Sequence, residues 1–297
     1  MPGPLRFSLV DVFTSEPLSG NPLAVVADAD HLEEAEMSAI AREFNQSETT
    51  FVLRPRDAGV SWRLRSFTPA GVEVGGAGHN ALGAWWWLAE SGHLPLGDET
   101  VGFKQQIGDR ILPVTVVAAG GRPRAIEMEQ QPPEWRRVSA NRSGLAESLG
   151  LNEADFAEDL PAQVVSTGAP HLLVQVDRRE IVDRAAPDGP RLAAALSELE
   201  GEGCYLFSLD PVSPDSAAYA RFFNPTVGIA EDPATGTAAG PLAAHLVINE
   251  LAPDGSTLWI EQGYRAGRPS RIAIRVEGRR VTISAECVIV AEGVLHP

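Results

Sequence analysis

The sequence predicts a mixed α/β chain of two similar domains, each a curved sheet wrapped around one apolar helix. Three observations carry that expectation. Strand-like and helix-like patterns alternate along all 297 residues, a length that suits one large domain or two of roughly 100–150 residues. Two stretches, 81–89 and 237–249, are apolar on nearly all sides, so a helix formed from either has to be hidden. The segment Arg65-Ser66-Phe67-Thr68-Pro69 has a counterpart, Arg221-Phe222-Phe223-Asn224-Pro225, 156 positions later, and each is followed by a glycine-containing loop and an apolar helix. That period is too long for a solenoid. It reads as an old duplication, with chance likeness of two strand–loop–helix units as the plain alternative.

The elements follow in order. Residues 7–13 alternate and read as a strand, 18–22 as a turn, and 23–26 as a second strand. Residues 32–44 have helical spacing, with Leu32, Met37, Ile40, Ala41 and Phe44 on one face. Residues 48–53 and 61–67 are expected strands, 71–78 a glycine-rich loop, and 81–89 the first buried helix. Gly120-Gly121-Arg122-Pro123 punctuates the middle, and 130–134, with two prolines, reads as a connector. Beyond it come a helix at 142–149, strands at 163–166 and 171–176, a helix at 191–199, and strands at 204–209 and 217–223. Residues 228–236 form the second loop and 237–249 the second apolar helix. Strands at 271–276, 281–285 and 288–290 close the chain.

Composition excludes several classes. With 44% hydrophobic and 22% charged residues the chain has an ordinary globular balance, and its length buries a core without disulfides or a structural metal. Net charge is −16, and the basic residues, almost all Arg with Lys104 the one lysine, form no concentrated run. Nucleic acid is therefore not an expected partner. The apolar run 84–89 is too short to cross a bilayer, and residues 1–13 lack the pattern of a signal peptide, so no membrane partner is expected. Cys204 and Cys287 lie far apart without metal-ligand spacing. They point to a reducing, cytoplasmic compartment and no metal.

Candidate chemistry clusters at the two loops. The first ends Gly75-Gly76-Ala77-Gly78-His79-Asn80. Glycines let backbone approach a ligand closely, and His79 stands where loop meets helix, although a lone histidine is as often structural. The run is no dinucleotide fingerprint, because the third glycine is missing at the required offset. The second loop reads Glu231-Asp232-Pro233-Ala234-Thr235-Gly236-Thr237. Asp232 and Thr235 suit helix capping; a desolvated carboxylate there would instead have a shifted pKa and suit proton transfer. Glu48 leads into an apolar strand, either as a surface carboxylate or as a base at the strand's inner end. Each helix start offers N–H groups and partial positive charge, so two such starts facing one cleft would suit a carboxylate ligand.

Five segments add a likeness: Asp11-Val12-Phe13 through Gly20-Asn21-Pro22-Leu23-Ala24-Val25; Asn45-Gln46-Ser47-Glu48-Thr49-Thr50-Phe51; Phe67-Thr68-Pro69 with Glu73 and Gly78-His79; Gly228 through Glu231-Asp232-Pro233-Ala234-Thr235-Gly236-Thr237-Ala238; and Gln262-Gly263-Tyr264 with Gly267-Arg268-Pro269-Ser270. Together they resemble the PhzF-like (phenazine biosynthesis) isomerase family, whose fold is diaminopimelate-epimerase-like. The resemblance implies two pseudo-symmetric domains, each a curved, mostly antiparallel, barrel-like sheet around a central apolar helix. The first would be 1–125 with the last strand returning as 286–297, the second 126–285, and the active site would lie in the interdomain cleft. It implies catalytic roles for Glu48, His79 and Asp232, with Glu48 moving a proton between two substrate carbons. Gly78, Asn80, Gly236 and Thr237 would contact substrate, Thr237 standing where a hydroxyl, often Ser, is found. No cofactor and no metal are implied. A homodimer is, with Trp85-Trp86-Trp87 offering apolar surface unless the helix is simply buried.

The chain departs from the family's pattern in three respects, one of them the unusually flexible pair Gly75-Gly76. Amino-acid epimerases of this fold carry a catalytic Cys in each loop, where Ala77 and Asp232 stand here; Asn80 replaces the more usual Pro or Ala. The expected function is a cofactor-independent isomerase making a 1,3-type proton shift on a small carboxylate-bearing metabolite, trans-2,3-dihydro-3-hydroxyanthranilate or a related secondary-metabolite intermediate. The alternatives are an amino-acid-type epimerase or racemase on the same fold, or a non-catalytic small-molecule binding protein.

Overall fold

The computed structural model describes residues 3–296. The chain forms two compact units: one runs to Glu129 and takes the chain's end from Ser284, and the other is Gln130–Ile283. The first contains β1 (Leu5–Val12), β2 (Asn21–Val26), α1 (Glu34–Phe44), β3 (Glu48–Leu53), β4 (Trp62–Phe67), β5 (Glu73–Val74), α2 (His79–Glu90), β6 (Val101–Ile107), β7 (Arg110–Ala119) and β8 (Arg122–Glu129). The second contains β9 (Glu134–Val138), α3 (Arg142–Ser148), β10 (Gln163–Ser166), β11 (Pro170–Gln175), α4 (Arg179–Arg184), α5 (Gly189–Glu198), β12 (Gly203–Ser208), β13 (Ala218–Asn224), β14 (Ile229–Asp232), α6 (Gly236–Ile248), β15 (Thr257–Gln262) and β16 (Ser270–Glu277). β17 (Arg280–Ala285) follows, and β18 (Cys287–Leu295) returns to the first unit.

The fold is mixed α+β, and the two units share one pairing plan. In the first the strands run β18–β1–β2–β3–β4–β6–β7–β8, with β2–β3 and β4–β6 parallel, the other neighbours antiparallel, and the short β5 hung on β4. In the second they run β9–β10–β11–β12–β13–β15–β16, with β11–β12 and β13–β15 parallel, the others antiparallel, and the short β14 hung on β13. Counted from β18 and from β9, the succession of parallel and antiparallel pairs is the same. A chance likeness of two isolated units does not produce a matching order of seven strands.

Each sheet curls because its apolar helix has no exposed side to spare. α2 packs against β1, β2, β3, β7, β8 and β18, which come from both ends and the middle of the strand order. All residues from Asn80 to Ala89 are buried. α6 is held likewise by β10, β11 and β16, and is buried from Ala238 to Leu246. Gly83 marks how closely α2 approaches the sheet, since a Cβ there would lie 2.7 Å from side-chain atoms of both Leu23 and Val12.

The tryptophan run is interior. Trp85, Trp86 and Trp87 are buried, so they offer no apolar surface for a partner. Trp85 Nε1 donates to Gln105 Oε1 at 2.9 Å and Trp87 Nε1 to Ser8 Oγ at 2.9 Å, which satisfies indole donors that burial would otherwise strand. Other elements depart from sequence expectation for local reasons. The helix expected at 32–44 begins at Glu34, after a capping box in which the Glu33 N–H donates to Glu36 Oε2 at 2.9 Å. Gln130, read as part of a connector, is fastened within its own unit: its N–H donates to Val281 O, its Nε2 to Gly236 O, and its Oε1 accepts from Thr167. The last strand is nine residues long rather than three. Among the described residues no helix is long and apolar enough to cross a membrane.

Candidate active site

Each unit places its chemistry-bearing residues at the start of its buried helix. In the first, parallel pairing of β3 on β2 sets Glu48 opposite Leu23, at the strand's first position. α2 packs on β3 and begins at His79. Residues 31 apart in sequence therefore meet: Glu48 Oε2 lies 3.0 Å from His79 Nε2, with side-chain exposures of 19% and 11%. Burial disfavours the charged carboxylate and pushes Glu48 from its ordinary 4.5 up to about 7.

Asn80 is a loop fastener. Its Nδ2 donates to Ser66 Oγ at 3.1 Å and Gly76 O at 3.0 Å, and its Oδ1 accepts from the Gly78 N–H at 2.7 Å. Ser66 in turn bonds Thr50, its register partner across β3 and β4, at 2.8 Å. The Gly78 N–H, expected to face substrate, is thus given to Asn80. This buried polar chain pins the glycine loop to the sheet and holds His79 in place. Gly75 and Gly76 have open space where a Cβ would go and no positive φ. Neither turn geometry nor packing requires glycine there.

A second device recurs in both units. Arg65 makes a two-pronged contact with Glu73, Nε to Oε1 at 2.7 Å and Nη2 to Oε2 at 2.6 Å, and its guanidinium stacks 5.1 Å from the Phe67 ring centre. Arg221 does the same with Glu231, at 2.9 and 2.7 Å, over Phe223 at 4.8 Å. The clamp ties β4 to β5 and β13 to β14, the strand pairs from which each loop departs. Glu231, next to Asp232 in the second loop, is thereby a structural anion for Arg221.

In the second unit Asp232 ends β14 and Thr235 is the residue preceding α6. The Thr235 hydroxyl donates to Asp232 Oδ2 instead of capping the helix. Gln262, fully buried, organises the turn: its Nε2 donates to Asp232 O at 2.7 Å and Thr235 Oγ1 at 3.1 Å. Its Oε1 accepts from the Thr235 N–H at 3.1 Å and the Tyr205 hydroxyl at 2.9 Å. Burial, then the negative charge of Asp232, holds the Tyr205 hydroxyl well above its ordinary pKa, so it stays a donor. Gly236 opens α6, and Thr237 Oγ1 lies 3.1 Å from His171 Nε2. Gln262, Tyr205, Ser66 and His171 were not singled out as site residues in the sequence. The one signal was the Gln262-Gly263-Tyr264 segment, where Gly263 has φ +84° and a Cβ would sit 2.2 Å from Arg268 O.

The structure thus joins Glu48 with His79, Asn80 with Gly78, and Asp232 with Thr235. A carboxylate poised near neutrality beside an imidazole at a helix start has the chemistry to give or take a proton. Comparison with known proteins places the chain in a family. The phenazine biosynthesis-like protein family matches residues 10–293, and the chain belongs to that family. It is 36% identical over 286 residues to the trans-2,3-dihydro-3-hydroxyanthranilate isomerase of Pseudomonas aeruginosa, covering 94% of this chain and 93% of that one. A crystal structure of a PhzF-family phenazine biosynthesis protein from Bacillus anthracis superposes with a TM-score of 0.90 at 28% identity, covering both chains in full. A hydroxyproline epimerase from Agrobacterium vitis shares the fold alone, with a TM-score of 0.64 at 12% identity over 98% and 92% of the two chains. The protein is an isomerase of this family.

Proposed function

We propose that this isomerase shifts a proton between two carbons of a small carboxylate-bearing metabolite without a cofactor, with Glu48 as the group that removes it and returns it. The observation that carries the reading is the buried Glu48 carboxyl, near pKa 7, 3.0 Å from His79. A group with that affinity is substantially ionised and substantially protonated at neutral pH, which suits one residue to serve as base and then acid. The step balances within the substrate. Glu48 takes the proton from one carbon, and that C–H electron pair becomes a new double bond. The pair of the old double bond moves to the far carbon, which receives the proton from Glu48. His79 steadies the carboxylate through the change of charge. Asp232 and Thr237 take part in the same turnover in this reading, the first in charge stabilisation and the second in holding the substrate carboxylate.

The name of the Pseudomonas aeruginosa relative favours trans-2,3-dihydro-3-hydroxyanthranilate, or a related intermediate, as substrate. Thiol-based epimerisation finds no support in the residues: Cys204 and Cys287 are both buried in strands, and burial pushes both thiols up, Cys204 to about 12. Two free thiols also fit a reducing, cytoplasmic setting, and the family suggests a homodimer; light scattering checks the latter. The central test is proton NMR of trans-2,3-dihydro-3-hydroxyanthranilate in deuterated water. The expected result is a moved double bond with deuterium gained or the original hydrogen transferred internally, and loss of turnover by several orders of magnitude in a folded Glu48→Gln variant. Deuterium gain with inversion and no moved double bond would make the protein an epimerase. A fully active Glu48→Gln variant would place the base elsewhere.

A further inference from the structure

His171 is the second residue of β11, paired with Val165 on one side and Gly203 on the other. The glycine matters, because a Cβ on Gly203 would lie 2.4 Å from the Phe222 ring. Phe222 uses that space and meets the imidazole edge-on at 4.9 Å, fixing the plane of the ring. The histidine is 2% exposed. Burial holds it far below its ordinary pKa, at about 3, so the ring is neutral at any working pH. A neutral imidazole carries one N–H, and its two nitrogens have different surroundings here. Nε2 faces Thr237 Oγ1 at 3.1 Å, whereas Nδ1 is buried with no hydrogen-bonding partner among the described residues. A buried N–H without an acceptor is the costlier orphan. The proton therefore belongs on Nε2, which makes the imidazole a donor to Thr237.

We propose that His171 is a positioning residue that donates its Nε2–H to Thr237 Oγ1, so that the half-buried Thr237 hydroxyl offers its own hydrogen outward to a carboxylate oxygen of the ligand. A hydroxyl has one hydrogen to give and lone pairs to receive. With a receiving site filled by His171, the hydrogen is left for an acceptor, and Thr237 has no other hydrogen-bond partner among the described residues. The tetrad His171, Thr237, Phe222 and Gly203 is in this sense a polarity selector: it presents a donor where a substrate needs to present an anion.

The inference rests on the proposed carboxylate substrate, and its test uses binding so that a failure of the proton-shift chemistry stays separate. Nitrogen-15 NMR of the full chain labelled at histidine, with His171 assigned by its loss in His171→Gln, should show a neutral ring protonated at Nε2 throughout pH 5–8. Protonation at Nδ1, or titration in that range, overturns the proposal. Calorimetry then compares 3-hydroxyanthranilate with 2-aminophenol, the same ring without the carboxylate. The wild type should prefer the acid. His171→Leu should weaken the acid about tenfold and leave 2-aminophenol unchanged, while His171→Gln, whose side-chain amide restores a donor, should return affinity to within about threefold. Equal losses for both ligands, no loss for either, or no preference for the acid in the wild type overturns it. Binding of the acid as expected, with no isomerisation of the dihydro compound, would instead count against the proposed reaction alone.

Discussion

Replacing Glu48 with Gln should make the protein more stable in a manner that depends on pH. In the folded state the carboxyl holds its proton up to about pH 7, against an ordinary 4.5. Below pH 4.5 the group is protonated whether the chain is folded or not, and it contributes no pH dependence. Between 4.5 and about 7 the unfolded chain has released its proton and the folded one has not, so stability falls as pH rises. Above about 7 both states are ionised and the full penalty applies. At 1.36 kcal/mol for each tenfold in proton affinity, the interval from 4.5 to about 7 amounts to about 3 kcal/mol. Gln fills the same space without titrating. Urea unfolding of wild type and Glu48→Gln at half-unit steps from pH 4 to 9 should give curves running parallel below pH 4.5, diverging through 5–7, and separated by about 3 kcal/mol more at pH 8. A separation that does not change with pH would refute burial as the source of the shift. The same titration should appear in kcat/KM, which is expected to fall as pH drops below about 7 and the base becomes protonated.

The two clamps should differ in strength although their geometry agrees. Arg221 is 9% exposed and also donates to the carbonyls of Val182, Asp183 and Ala185, so Glu231→Gln, which leaves a buried guanidinium short of its anion, should cost about 3 kcal/mol in denaturant unfolding. Glu73, 38% exposed, should cost under about 1 kcal/mol on the same change. Gly263→Ala forces a Cβ into two carbonyls at positive φ and should lower the melting temperature by well over 5 °C, whereas Gly76→Ala meets open space and should leave it within about 2 °C. A melting point for Gly76→Ala as low as that of Gly263→Ala would show a backbone demand on the loop that its geometry does not contain.

What the sequence revealed depended on whether each element's burial followed a simple period. α2 and α6 were legible because they are apolar all round, and the duplication was legible because Arg65 and Arg221 sit in matching pentapeptides. β6 was not, since it buries Gln105 and Gln106 where alternation calls for apolar side chains; Gln105 is inside to meet Trp85. β9 escaped because Glu134-Trp135-Arg136-Arg137-Val138 is mostly exposed and charged. At the site, Glu48, His79 and Asp232 were marked by their loops and by family likeness. The supporting residues were not, because their value lies in long-range geometry: Gln262 acts 27 positions from Thr235, and His171 lies 66 from Thr237. No local pattern separates a buried histidine that aims a hydroxyl from one that only fills a core.

The paired clamps also bear on how such a protein can be altered. Arg65 and Arg221 grip their loops at the upstream end, and the buried helices grip them downstream, so the residues between, 75–78 and 233–235, link strand to helix without pairing in the sheet. Each loop is in effect a cartridge in a standard socket. Loop residues can then be exchanged, in nature or by design, without breaking either clamp, and the same socket occurs twice in one chain. Divergence can proceed in one loop while the other keeps its contents.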